Sequence, residues 1–228
     1  DAPHTALDME TTQAEGLPIL AADPTDFYSQ WDTRIISSGS STNNQIQLPL
    51  VADGIYNFTV DWGDENNNHI TEYNQAEVLH TYTTEGIYNL TINGTIIGWQ
   101  FDNTGDCSKL LQIYQWGSLA LSHAGSTVHD AYFKGCTNMD LLATDPLNLT
   151  EITDLSYMFQ FCQSLTDQGN LNGWDVSTIT NMDYMFYGAF HFNMNVSNWD
   201  TSSVTSMQSM FDGATEFNQD IGGWDISG

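Results

Sequence analysis

The sequence predicts a mainly β protein with three parts: an extended N-terminal arm over residues 1–26, a small β-sandwich over 27–100, and a solenoid of stacked repeats over 101–228. Three observations predict this organisation. The first residues are proline-rich and have no hydrophobic period, the next segment contains short alternating runs separated by turn signals, and the C-terminal part repeats itself at a fixed interval.

The arm carries three of the five prolines and has no periodic pattern, which is typical of a linker or an extended segment. It also contains a short apolar patch, formed by Leu17, Pro18, Ile19 and Leu20. A segment with so little core of its own becomes ordered by docking on another surface. We therefore predict that this patch is an assembly contact.

Residues 27–100 contain the alternating runs QIQLPL and YNFTVDW, followed by VLHTYTTEGIYNLTINGTI. Alternation of apolar and polar residues is typical of half-buried strands. Turn signals separate the runs at Asp53–Gly54, Glu85–Gly86 and Asn93–Gly94. This pattern predicts an antiparallel sandwich of immunoglobulin-like type.

The C-terminal part repeats at an interval of 25 residues, because Trp174, Trp199 and Trp224 are equally spaced. An interval of this size is typical of a solenoid, in which each coil covers the apolar residues of its neighbour. Gly188 and Gly213 are expected at corners that leave no room for a Cβ atom. The predicted solenoid core consists of Trp174, Trp199, Trp224, Met185, Met210, Phe186, Phe211, Phe192 and Phe217.

Cys107, Cys136 and Cys162 fall in one register of the predicted coils. Stacked coils would place them above one another as a buried column, and free packing is favoured over a disulfide between adjacent coils. Their spacing includes no CxxC pair, which argues against a zinc site.

The charge balance limits the possible partners. The sequence contains three Lys and Arg residues and 29 Asp and Glu residues, which gives a net charge of −26. Such a surface repels nucleic acid and anionic membranes, and it suits an extracellular or salty environment. No apolar run reaches the roughly 18 residues of a membrane span, so membrane insertion is not expected. The chain starts without Met and without a signal peptide, which we interpret as a mature secreted form.

The repeat resembles the BspA-like leucine-rich-repeat surface proteins. Their repeat of about 25 residues is similar to WDTSSVTSMQSMFDGATEFNQDI at 199–221 and to WDVSTITNMDYMFYGAFHFNMNV at 174–196. The upstream segment, which begins GIYNFTVDWGDENNN, resembles the PKD-like sandwich that often precedes such repeats. The resemblance covers about residues 27–227 and implies a secreted or cell-surface protein with a non-enzymatic role in adhesion or assembly.

Candidate chemical sites are few. Asp61, Asp64 and Glu65 in DWGDEN offer oxygen ligands for calcium, and a polar hairpin turn is the alternative interpretation. The six histidines form no HExxH motif, and no pair of carboxylates is singled out by its spacing. We therefore expect no catalytic residues, no enzymatic activity and no cofactor beyond this possible calcium ion.

Five N-x-S/T sequons are candidate glycosylation sites, at Asn57, Asn89, Asn93, Asn148 and Asn195. Asn93 is expected to be the most accessible of them, because it belongs to the predicted Asn–Gly turn.

The repeat stops at GWDISG without a polar segment to cover the last coil. An uncovered coil invites contact with another chain. The expected function is therefore a fibre subunit that joins other copies head to tail through its arm. The alternative is a monomeric adhesin that binds a host protein or a glycan through one solenoid face. A secreted hydrolase would need a cleft with converging acids.

Overall fold

The computed structural model describes residues 23–123 and 130–227, so the predicted assembly patch Leu17–Leu20 lies outside the described residues. Within these ranges the protein is mainly β and contains no α-helix, only two short 3₁₀ helices at Ala76–Val78 and Cys107–Lys109. The strands are β1 Phe27–Asp32, β2 Gln45–Gln47, β3 Ile55–Asp61, β4 Asn67–Ile70, β5 Leu79–Thr81, β6 Ile87–Ile97, β7 Leu110–Gln115, β8 Leu119–Ala120 and β9 Asp140–Leu141.

Seven of the strands form one mixed sheet in the order β4-β3-β6-β1-β7-β9, with β8 paired to β6, and β2 and β5 form a separate two-stranded sheet. β3 alternates exposed and buried residues, as its sequence predicts. β8 pairs with β6 and β9 pairs with β7 in parallel, while the other strand pairs are antiparallel. The sheet therefore continues past residue 100, since β7 and β9 lie in the C-terminal part of the chain.

The predicted turn at Asn93–Gly94 is wrong. Both residues lie inside β6, where Asn93 pairs with Thr59 and Gly94 with Phe58 of β3. Gly94 has φ +121°, and a Cβ atom there would lie 2.5 Å from the carbonyl oxygen of Asn57. The glycine therefore serves close approach of two strands rather than a reversal of the chain.

After β9, the described part of the chain forms turns and isolated bridges instead of regular strands. We call residues 147–173, 174–198 and 199–223 repeat units I, II and III. Backbone hydrogen bonds run from each unit to the next: Phe159 N donates to Met185 O and Phe186 N to Met210 O, both at 2.9 Å. Such bonds stack the units on one another and satisfy backbone groups without a helix or a long strand.

A column of phenylalanine rings runs through the stacked units. Ring centroids are 5.9 Å apart between Phe133 and Phe159, and 5.7 Å between Phe159 and Phe186 and between Phe186 and Phe211. Planes within 18° of parallel show that each ring lies on the next. This column belongs to one apolar core that extends from Phe27 in the sheet to Trp224.

The predicted core residues differ in burial according to their unit. Those with less than 10% of their surface exposed are Trp174, Trp199, Trp224, Met185, Met210, Phe186 and Phe192. Phe211 and Phe217, both in unit III, are only partly buried, because no further unit packs on them in the described residues.

Gly188 lies at a crowded corner, as its recurrence predicts. Its φ is +70°, and a Cβ atom would come within 2.9 Å of the Phe161 ring of the preceding unit. Gly213 occupies the same corner one unit later, with φ +79° and the Gly188 backbone 3.3 Å from a Cβ position. These glycines permit the left-handed backbone and the close spacing of the units.

Candidate functional site

The last unit presents an apolar end to the solvent. Met207, Phe211 and Phe217 are partly buried, although the corresponding residues of unit II, Met182, Phe186 and Phe192, are fully buried. Beyond them Ile221 is 36% and Ile226 is 82% exposed. We call Met207, Phe211, Phe217, Ile221 and Ile226 the end ring.

The geometry of the end ring is that of an interior layer without its neighbour. The Phe217 ring lies 4.0 Å from the ring of Phe211 and 5.6 Å from that of Phe192. Trp224 stacks on Trp199 at 6.0 Å and donates its indole N–H to the carbonyl of Val196. One side of this layer is thus packed on unit II, and the other side is exposed in the described residues.

A second surface carries partly exposed aromatic side chains from units I and II. Tyr157 and Tyr184 stack at 5.2 Å, Tyr184 contacts Tyr187, and Tyr187 contacts Phe161. Lys134 covers the outer face of Tyr157 at 5.2 Å from the ring centroid. We call Tyr157, Phe161, Tyr184 and Tyr187 the aromatic flank.

Three members of the aromatic flank have left-handed backbones: Tyr157 with φ +58°, Phe161 with φ +63° and Tyr184 with φ +56°. A bulky side chain in this region costs free energy, on the order of 1 kcal/mol each. Phe161 occupies the corner where Gly135 and Gly188 stand in the neighbouring units. The flank was not predicted from the sequence, although the 27-residue interval from Tyr157 to Tyr184 carried the signal.

The predicted calcium ligands do not converge. Asp61 accepts a hydrogen bond from the Gly63 amide, and Asp64 accepts one from the Asn66 amide, both within the turn between β3 and β4. Burial acts to raise the pKa of Asp64, but hydrogen bonds from His80 and Asn66 outweigh it and lower this pKa below its usual value. Within residues 23–123 and 130–227, no three His, Cys, Asp or Glu side chains are grouped so that they could hold a metal ion.

Asp64 instead pairs with His80, whose Nε2 lies 2.9 Å from Asp64 Oδ2. The imidazole stacks on Trp62 at 4.7 Å and meets the edge of Tyr82. The Asp64–His80 pair connects the β3–β4 turn to β5. This arrangement is that of a polar turn, the alternative interpretation of the segment.

The five sequon asparagines are all exposed, on β3 for Asn57, on β6 for Asn89 and Asn93, and in units I and II for Asn148 and Asn195. Several amides are already engaged: Asn93 donates to Asp26 at 2.6 Å, and Asn89 accepts from Gln30 at 3.0 Å. Asn148 and Asn195 accept amide hydrogens from Thr150 and Ser197, the residues two positions on.

A charged pair is buried between the sheets. Lys109 is fully buried and donates to the carbonyls of Ser41, Thr42 and Gln45, and its Nζ lies 3.6 Å from Asp106 Oδ1. Burial lowers the pKa of Lys109, and the charge of Asp106 opposes this effect. Asp106 accepts hydrogen bonds from the amides of Ser41 and Gln47 and from the Ser41 hydroxyl, which also accepts one from Lys109. The pair therefore holds β2 and the loop that precedes it against the second 3₁₀ helix.

The three cysteines are buried and free. Burial raises the pKa of each thiol. Neighbouring thiols raise it further at Cys136 and Cys162, and the charge of Asp106 does so at Cys107. Cys162 donates to the carbonyl of Phe133 at 3.2 Å. Thiols in this condition are poor nucleophiles and poor metal ligands, which fits the predicted packing column.

Neither surface resembles a cleft with converging acids, and no helix in the described part of the chain is long and apolar enough to cross a bilayer. What recurs is the stacked unit with its Met-Phe pair and a left-handed corner two residues later, which is Phe161 in unit I and glycine in units II and III. Residues 127–228 match the family described as "Mycoplasma protein of unknown function, DUF285". The DUF285 match covers units I to III, including the aromatic flank and the end ring, and leaves β1 to β8 outside. Neither the curated proteins nor the solved structures include a match to this chain.

Proposed function

We propose that this chain is a non-catalytic structural subunit of a secreted or cell-surface fibre, in which a neighbouring copy covers the end ring. We further propose that residues 101–228 are a BspA-type leucine-rich-repeat solenoid and that residues 27–100 are a PKD-like sandwich. The DUF285 match, the 25-residue interval and the unit-to-unit hydrogen bonds support this interpretation.

The observation that carries the proposal is the end ring. Large apolar side chains occupy interior positions of the stack, yet Ile226 keeps 82% of its surface in water. Burying an isoleucine side chain stabilises a complex by about 2 kcal/mol, so several such residues supply a substantial part of an interface. The arm patch Leu17–Leu20 is the proposed partner surface on the next copy. Because the arm patch and the end ring are different surfaces, the proposed contact is head to tail and extends into a filament.

The test is the size of the particle formed by the full chain. We expect sedimentation velocity and negative-stain images to show concentration-dependent fibres. Replacing Ile221 and Ile226 with Ser is expected to shift the material to single chains, whereas Ile36→Ser, at another apolar position that is 63% exposed, is expected to leave the fibres intact.

Removal of residues 1–22 tests the contribution of the arm to assembly independently of the end ring. Loss of fibres on this deletion supports the arm as the connector, and unchanged fibres would show that another surface covers the ring. A single-chain mass at all concentrations would overturn the fibre proposal itself.

A second candidate function is adhesion by a single chain, and the aromatic flank favours it. Partly exposed aromatic rings are enriched where proteins contact partners, because they bury much area at low entropic cost. In that case Tyr157→Ala with Tyr187→Ala would abolish attachment to a glycan array or host-protein surface. The control Tyr73→Ala, at a tyrosine that is 40% exposed away from the flank, would not.

A further inference from the structure

An open groove of about 660 Å³ lies between the first residues of unit I and those of unit II. Units II and III begin with Trp174 and Trp199, but unit I begins with Leu147. The indole N–H of Trp199 donates to the carbonyl of Leu171 at 2.7 Å, and that of Trp224 to Val196 at 3.0 Å. These bonds close the seam at the start of unit III and at the start of the segment that follows unit III.

At the start of unit II, where that unit meets unit I, this closure is missing. Leu147 has no indole, and the buried N–H of Trp174 has no acceptor in the described residues. Glu151 has a left-handed backbone, φ +70°, where the later units have Thr178 and Ser203. The groove is therefore a consequence of two departures from the repeat at one place in the chain.

The lining of the groove combines an apolar floor with acidic rims. Pro146, Leu147 and Ile152 supply apolar surface, and the exposed side chains of Glu151 and Asp175 stand beside it. Hydrogen bonds from Ser177 lower the pKa of Asp175, so this carboxylate is ionised at neutral pH. No Lys or Arg lines the groove.

We propose that this groove binds a basic peptide segment, with an aliphatic lysine or arginine stem on the apolar floor and its charged end between Glu151 and Asp175. The volume accommodates a few residues of extended chain, and the net charge of −26 disfavours anionic ligands. Lysine and arginine side chains suit such a site, because their stems pack on apolar surface while the charge stays at the rim.

The proposed occupant is a segment of a different protein, because these 228 residues supply no free basic segment. This chain has only three Lys and Arg residues in total. Lys109 is buried, Arg34 pairs with Asp32 at 2.8 Å, and Lys134 pairs with Asp102 at 3.0 Å. The groove is thus distinct from the proposed self-assembly contact, since residues 1–228 of a second copy offer it no free basic segment.

The test uses the full chain and a fluorescent hexalysine peptide, with fluorescence anisotropy as the readout. We expect binding that weakens with salt, and no binding of the same peptide with acetylated lysines. Glu151→Gln combined with Asp175→Asn is expected to lower the association constant roughly tenfold, since both substitutions remove a charge that attracts the lysine side chains. The matched control, Asp212→Asn with Asp220→Asn, removes the same charge elsewhere and is expected to change it less than twofold.

Thr150→Trp fills the groove without changing the charge and is expected to lower binding as strongly as the rim variant. The proposal would be overturned if the rim and control variants weakened binding equally, or if Thr150→Trp left binding unchanged. Binding of the acetylated peptide, or no binding of hexalysine at all, would overturn it as well. A thermal melt establishes that each variant is folded. Sedimentation of the same samples reports fibre assembly separately, so that failure of one proposal does not pass for failure of the other.

Discussion

Phenylalanine-to-alanine substitutions along the ring column provide the sharpest test of the stacked units. Phe186 is fully buried between Phe159 and Phe211, whereas Phe211 occupies the same position one unit later and is only partly buried. The two residues have the same chemistry and the same register. They differ in whether another unit covers them.

The magnitude follows from that difference. Removing a fully buried phenylalanine costs about 4 kcal/mol, the sum of lost burial and a residual cavity. Phe211 has lost the covering layer, so Phe211→Ala should cost roughly half, about 2 kcal/mol. Phe186→Ala should therefore destabilise the single chain by about twice as much.

The assay is urea unfolding followed by tryptophan fluorescence, at a protein concentration low enough to keep single chains. Stacked repeats can unfold unit by unit, so hydrogen exchange of the Phe186 amide, which donates to Met210, should be measured in parallel. Equal costs for the two variants in the single chain would refute the interpretation of unit III as an uncovered layer. In fibres, by contrast, Phe211→Ala should approach the cost of Phe186→Ala.

Three further predictions test the fastening of the sheet, the turn and the corner. Lys109→Met should lower the free energy of unfolding by about 3 kcal/mol in urea, because it strands a buried carboxylate, whereas the more exposed Lys134→Met should cost less than about 1 kcal/mol. Asp64 has a folded-state pKa below its unfolded value of about 3.9. The stability that its carboxylate contributes is therefore present above that pH and is lost as the pH falls through the folded pKa. Below about pH 4, the melting temperature of Asp64→Asn should depend less on pH than that of the wild type. Gly188→Ala should cost more than about 1 kcal/mol in the same urea assay, and Gly223→Ala, with nothing within 4 Å, should change stability by less than about 0.5 kcal/mol.

Much of the fold follows from local patterns. The alternation in YNFTVDW gives β3, and the 25-residue interval identifies Phe186, Phe192 and Trp199 as interior residues. Both patterns report which side of the backbone a residue occupies, and this is fixed by geometry within a few residues. The buried cysteine column is predicted for the same reason, since its members share a register.

The end ring could be anticipated in the same way, because it is the register of the core in the last unit. For the aromatic flank, the 27-residue interval from Tyr157 to Tyr184 signals only that these two residues share a register. Lys134 and Tyr187 lie 23 residues before Tyr157 and 30 after it, and only the stacking of the units brings them to the same surface.

Close approach between distant segments is what the tertiary structure decided. Asn93–Gly94 has the sequence of a hairpin turn, yet pairing of β3 with residues 91–97 of β6 satisfies more backbone groups than a reversal would. The groove at Leu147 likewise exists because a neighbouring unit fails to close over it. The sequence by itself determined the interval of the repeat and the inward-facing residues, since both are properties of the local backbone. The order of the strands, the gap between units I and II and the partners of the buried charges depend on which distant segments pack together, and only the folded chain fixes those.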